Sequence, residues 1–118
     1  MSGFLTTHVL DTARGVPAKG ISILLYRVSG NSHRKIAEAV TNEDGRTKAP
    51  LLDAKNFKTG QYELIFQVGV YLRKNKLAKS ETLFLDEIPI RFGIDDETSH
   101  YHVPLLLSPF GYSTYRGS

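Results

Sequence analysis

Tyr62-Glu63-Leu64-Ile65-Phe66 and Ile88-Pro89-Ile90-Arg91-Phe92 carry the reading that decides the fold. In the first, Tyr62, Leu64 and Phe66 share one face; in the second, Ile88, Ile90 and Phe92 do. Alternation with period two is the signature of a half-buried β-strand. Ile21-Ser22-Ile23-Leu24-Leu25-Tyr26-Arg27 is rich in strand formers. Turn signals separate such runs at Arg14-Gly15-Val16-Pro17, Ser29-Gly30-Asn31, Asn42-Glu43-Asp44-Gly45, Gly60, Asp95-Asp96-Glu97 and Ser108-Pro109-Phe110-Gly111. Short strands at this spacing predict an antiparallel sandwich or a small barrel. Tyr101 to Leu107 also reads as a strand, but Pro104 has no amide to donate, which predicts an edge position or a bulge. One stretch departs from the rhythm. Val68 to Leu77 has Val68, Tyr71, Leu72 and Leu77 spaced for one or two helical turns, so it is the one predicted helix, about 68–77.

The 118 residues form a single domain, 1–118. The composition, 41% hydrophobic and 23% charged, is that of a soluble globular domain rather than a disordered or fibrous one. The longest uncharged apolar run, Val103–Leu107, is far short of the ~20 residues of a membrane-spanning helix. There is no cysteine, so disulfides, zinc fingers and thiol nucleophiles are excluded. That, with an N-terminus lacking signal-peptide regions, favours a cytoplasmic location. A net charge of +3 is too mild for a nucleic-acid partner. The basic cluster Arg73, Lys74, Lys76 and Lys79 reads as a solvated surface.

By themselves the candidate functional residues are unremarkable. His8 suits a partly exposed strand histidine, Arg46 a solvated arginine after the Asp44-Gly45 turn, and His102 a packed histidine beside an edge strand. His100 and His102, two apart, should share a face. With His8 they could hold a metal, but no carboxylate or cysteine completes a convincing set, so no metal is assigned. His33 lies in a polar turn and reads as exposed. Tyr115-Arg116-Gly117-Ser118 would ordinarily be a frayed tail.

Three segments change that weighting. They are Leu5-Thr6-Thr7-His8-Val9-Leu10-Asp11-Thr12-Ala13-Arg14-Gly15-Val16-Pro17-Ala18, then Thr41-Asn42-Glu43-Asp44-Gly45-Arg46-Thr47, then His100 through Ser118 with the ending Tyr-Arg-Gly-Ser. Together they resemble the transthyretin-like family, and more closely its enzyme branch, which hydrolyses 5-hydroxyisourate. The carrier branch shares the Val-Leu-Asp and Leu-Leu-Ser-Pro frames but not the histidines, the arginine or the terminal tetrapeptide.

The resemblance implies an all-β, transthyretin-like antiparallel β-sandwich of two four-stranded sheets with one short helix. It implies a homotetramer with sites at the dimer–dimer interface. It also implies hydrolytic opening of the six-membered ring of 5-hydroxyisourate at an amide-type C–N bond, without cofactor or metal, in urate breakdown. The catalytic set would be His8, Arg46, His102 and Ser118, and the substrate-binding set His8, Arg46, Tyr115 and Arg116. A histidine can exchange protons near neutral pH. Arginine's planar fork suits the carbonyls of an oxidised purine and charge developing on oxygen. Arg116 would pair with a carboxylate or anchor the tail, and Gly117 would allow close backbone approach. His102 is the first choice of general base and the Ser118 carboxylate the second. The alternative is a non-catalytic transthyretin-like carrier of a small ligand, which would want an apolar channel instead of a cationic one.

Overall fold

The long alternating runs pair first. In the computed structural model, which describes residues 3–117, β4 (Ser22–Ser29), β5 (Ser32–Val40), β6 (Gly60–Gln67) and β7 (Glu87–Ile94) form a four-stranded antiparallel sheet. Its order is β5-β4-β6-β7. Tyr62, Leu64 and Phe66 of β6 and Ile23 and Leu25 of β4 are fully buried, so the faces read from alternation are the faces that pack. The opposing sheet takes β2 (Val9–Asp11), β3 (Val16–Pro17), β9 (Leu105–Ser108) and β10 (Gly111–Thr114) in the order β10-β9-β2-β3. Two four-stranded sheets and one helix are the expected sandwich.

Within the second sheet β2 and β9 run parallel, and so do β1 (Leu5–Thr6) and β8 (Tyr101–His102), which form a separate pair. The two chain segments therefore travel side by side, with a jog at Thr7-His8 on one and Val103-Pro104 on the other. Pro104 lies in this break, between β8, whose one strand partner is β1, and β9, which is flanked by both β10 and β2. The buried Thr7 hydroxyl donates to the Val103 carbonyl at 2.7 Å, so the jog leaves that acceptor satisfied.

Along both segments burial alternates, except at the break, where Pro104 is buried between Val103 and Leu105. Leu5, Thr7, Val9 and Asp11 are buried, as are Tyr101, Val103, Leu105 and Leu107. The even-numbered residues Thr6, His8, Leu10, His102 and Leu106 face outward and are half-buried. The site is built on this outward face.

The helix α1 spans Val68–Lys74, shorter than expected at its C-terminal end. It stops because Lys76 turns left-handed (φ 59°). Leu77 N then donates to the Leu72 carbonyl and Lys76 N to the Arg73 carbonyl, a Schellman closure that brings Leu77 back over Leu72. At the other end the amides of Val68 and Gly69 both donate to the Asp86 carbonyl in place of a side-chain cap. Tyr71 ties the helix to β2: its hydroxyl donates to Asp11 Oδ2 at 2.7 Å, and Arg14 Nε donates to the same oxygen at 2.9 Å. Desolvation pushes the Asp11 carboxyl up, but the Tyr71 and Arg14 hydrogen bonds outweigh it, and the net effect is a pKa below the ordinary value.

His33 is not in a turn. It lies in β5, where its Nε2 is 2.9 Å from Arg91 Nη2 and 3.7 Å from Glu63 Oε1. A polar-looking segment was in fact one strand of a long hairpin, which only cross-strand pairing shows.

Candidate active site

Arg46 reaches the site through the turn that precedes it. Asn42 Oδ1 accepts from the amides of Asp44 (2.9 Å) and Arg46 (3.2 Å), and Asn42 N donates to the Arg46 carbonyl. Gly45 sits at φ +73°, a left-handed conformation that favours glycine. A Cβ there would also lie 2.3 Å from the Val9 carbonyl and 3.2 Å from the His8 ring. The turn therefore packs its backbone directly on His8, and Arg46 forms an antiparallel bridge with His8.

His102 ends β8, directly opposite Thr6 of β1. Its Nδ1 lies 2.9 Å from Thr6 Oγ1. On its other side the C-terminal tail closes in: Gly117 N donates to the His102 carbonyl at 2.6 Å. A Cβ at position 117 would fall 2.8 Å from His102 Cδ2, so only glycine admits this approach without movement. The two histidines are thus held in the same way, each with a bridged neighbouring segment whose glycine packs on the ring.

His8, Arg46 and His102 act on one another electrostatically. The His102 pKa is held below its ordinary value, first by burial, then by the positive charge of Arg46, then by that of His8. At neutral pH His102 is therefore a neutral imidazole beside the permanently charged Arg46. Arg46 also lines, with Thr6, Thr7 and the segment to Pro50, a recess of about 180 Å³.

The other expected site residues are placed differently. The Arg116 guanidinium lies 3.8 Å from the centre of the Tyr101 ring and donates to the His100 carbonyl at 3.3 Å. Of its anticipated roles, substrate binding, pairing with a carboxylate and anchoring the tail, this geometry fits the anchor. Tyr115 is 59% exposed, borders an apolar recess of about 220 Å³ with Ile90 and Phe92, and makes no hydrogen bond to His8, Arg46 or His102 among the described residues. Ser118 lies outside the described residues. His100 does share the outward face with His102, but it stacks on Phe4 at 5.1 Å and accepts the Phe4 amide at Nδ1. Among the described residues no three His, Cys, Asp or Glu side chains gather as a metal-ligand set.

Thr6 escaped the sequence reading. Its place two residues before His8 put it on the histidine's face, but its partner was 96 residues away and invisible until β1 and β8 paired. Chemically the cluster offers a neutral imidazole, a permanent cation with a planar donor fork, and a second imidazole, all on one outward face. Such a set can activate water and stabilise charge on a carbonyl oxygen.

Known proteins show the same combination of fold and sequence. The model of the HIUase/Transthyretin family matches residues 5–117. The chain is 56% identical over 117 residues to the 5-hydroxyisourate hydrolase 2 of Rhizobium meliloti, covering 99% of this chain and 98% of that one. Its structure superposes on the 5-hydroxyisourate hydrolase of Klebsiella pneumoniae with TM-score 0.80 at 34% identity, covering 98% and 99% of the two chains. It also superposes on an (S)-allantoin synthase with TM-score 0.93 at 50% identity; there it covers 99% of this chain but 44% of the larger one. With a match over residues 5–117 and a sandwich of the same shape, the chain belongs to the HIUase/Transthyretin family.

Proposed function

We propose that this protein is a hydrolase that opens the six-membered ring of 5-hydroxyisourate. Water adds to the carbonyl carbon of an amide-type C–N bond. That bond breaks, and the product is 2-oxo-4-hydroxy-4-carboxy-5-ureidoimidazoline with release of a proton. The observation that carries the reading is the gathering of Arg46, bridged to His8, beside a His102 held by Thr6 and Gly117, with burial and the two neighbours lowering its pKa. Charged and imidazole groups aimed together onto one face are costly without a partner, and a polar, planar heterocycle with several carbonyls is such a partner.

His102 is the general base. For its Nε2 to accept the water proton, Nδ1 must carry the other hydrogen and donate it to Thr6 Oγ1. Its depressed pKa keeps it unprotonated at neutral pH. Arg46 holds the substrate carbonyl and stabilises the oxyanion that forms on water attack. His8 contacts substrate and delivers a proton toward the departing nitrogen. Arg116 anchors the tail on Tyr101, so that Gly117 is pressed on His102, while Tyr115 contacts the substrate. No step calls on a metal or an organic cofactor.

The working unit is a homotetramer whose dimer–dimer contact covers the outward face. Leu10 and Leu106, adjacent in register and only half-buried, extend that face beyond the histidines as apolar surface a second copy would cover. A cytoplasmic location fits the cysteine-free composition.

The test is an ultraviolet time course with 5-hydroxyisourate generated freshly by urate oxidase. Loss of its absorbance faster than spontaneous decay, in proportion to protein and without added metal, is the expected result. An unchanged decay with saturable ligand binding would make the protein a carrier.

A further inference from the structure

A second polar site lies at one mouth of the sandwich, outside the histidine cluster. A pocket of about 540 Å³ opens there between the β4–β5 hairpin and the segment entering β6. Arg27, Arg34, Lys58, Asn56 and Tyr62 supply its polar wall, and Leu51 is part of its apolar floor. Three cations thus converge on one concavity. Among the described residues none of the three forms a salt bridge, although five such bridges occur elsewhere. The nearby carboxylates are engaged otherwise: Asp53 Oδ1 accepts from Asn56 N and Nδ2, and Glu97 Oε2 from Thr59 N.

Arg27 is held rigidly. Its Nη1 donates to the Tyr62 hydroxyl at 2.7 Å, its Nη2 to the Thr59 carbonyl at 2.8 Å, and its guanidinium lies 5.1 Å from the centre of the Tyr62 ring. The Tyr62 hydroxyl in turn donates to the Lys58 carbonyl. Gly60 leaves the space that the guanidinium occupies; a Cβ there would lie 2.6 Å from Arg27 Nη2. An arginine has five N–H donors, and these two bonds leave three uncommitted. Arg27 and Arg34 also face each other directly across the β4–β5 ladder, a like-charge pairing that weakens a sheet unless something offsets it.

We propose that this pocket binds a small oxyanion, the phosphate or carboxylate group of a compact polyanionic metabolite. Arg27 forms the fixed wall, and Arg34 and Lys58 close over the ligand from the exposed side. The anion neutralises the Arg27–Arg34 opposition and fills the free donors with charge-assisted hydrogen bonds.

The test is a titration of the full-length ¹⁵N-labelled protein with inorganic phosphate and, separately, with citrate, ionic strength being held constant with chloride. Saturable shifts are expected at the backbone amides of Arg27, Arg34, Asn56 and Lys58 and at the Arg27 Nε–H. Saturation by phosphate alone assigns the site to phosphate groups, by citrate alone to carboxylates, and by both to oxyanions in general. Arg34→Gln and Lys58→Gln, both at exposed positions, should each weaken binding roughly tenfold, the worth of one charge-assisted hydrogen bond. Lys74→Gln, outside the pocket, should leave it unchanged. Shifts that stay linear in anion, that spread evenly over the basic surface, or that persist unweakened in both pocket variants would overturn the proposal.

Discussion

Gly117→Ala puts the role of the C-terminal tail to a quantitative test. The added Cβ would sit 2.8 Å from His102 Cδ2, 3.2 Å from its Cβ and 3.3 Å from its Cγ. Ordinary contact begins near 3.4 Å, so the ring or the tail must move by about 0.6 Å at the closest approach. The backbone cannot give easily while Gly117 N stays bonded to the His102 carbonyl at 2.6 Å. Moving the ring also stretches its 2.9 Å contact with Thr6 Oγ1. A displacement of about 1 Å in a reacting group can cost about 10²-fold, so kcat should fall by about 10- to 100-fold. Lifting the tail instead removes the Gly117 contact from His102 and lowers the rate as well. The variant should fold and melt like the wild type, because position 117 contributes nothing to the buried core. Gly111→Ala is the control: its Cβ would meet only Ser108 Oγ, at an ordinary 3.7 Å, and the rate should be unchanged. The assay is initial-rate decay of 5-hydroxyisourate absorbance, with circular dichroism and thermal melts alongside. Wild-type kcat in a folded Gly117→Ala protein would refute the idea that the tail sets the His102 ring.

His102→Asn should lower kcat by about 10²–10⁴-fold with assembly unchanged; near-normal turnover would remove His102 from the mechanism. The acid limb of kcat/KM should lie below pH 6.5, because the His102 pKa is depressed, and Arg46→Gln should move that limb upward by removing one cause of the depression. The same shift has a stability consequence. Folded His102 binds fewer protons than unfolded His102 between its depressed pKa and 6.5, so it contributes a rise in stability with pH across that window and none above it, measurable as the difference in pH-dependent melting between wild type and His102→Asn. Tyr71→Phe should destabilise the fold by about 1.5–3 kcal/mol in urea titration, since buried Asp11 loses a hydrogen bond to a charged group. Deleting Tyr115 to Ser118 should abolish turnover while leaving the oligomer intact, read by size-exclusion chromatography and the same rate assay.

Local pattern alone was enough for the strands that bury every second residue. Tyr62, Leu64 and Phe66 alternate in sequence and are buried in the structure because the pleat sends successive side chains to opposite faces. The same argument put His100 and His102 on one face, and the Asp44-Gly45 turn ahead of Arg46 was legible because glycine tolerates the left-handed conformation found there. The helix start at Val68 was equally visible from spacing, but its end was not. Lys76 adopts the left-handed conformation usually given to glycine, so the stop had no conspicuous residue to mark it. The Tyr-Arg-Gly-Ser tail carried the resemblance to the enzyme branch, and Gly117 was anticipated as a point of close approach.

What only the tertiary structure decided rests on contacts between residues far apart in the chain. Pro104 lies at a break between β8 and the inner strand β9, because the jog in one segment is matched by a jog in its parallel partner, and a missing amide by itself cannot distinguish that from an edge. The Thr6–His102 contact joins residues 96 apart, and Arg116 turned out to lie on Tyr101 because the tail folds back along β8. The depressed pKa of His102 is of the same kind: burial, Arg46 and His8 act through space, and no spacing in the sequence encodes it. Periodicity reports which way a side chain faces relative to its own backbone. Which other backbone it then meets depends on strand pairing, which local residue preferences leave undetermined.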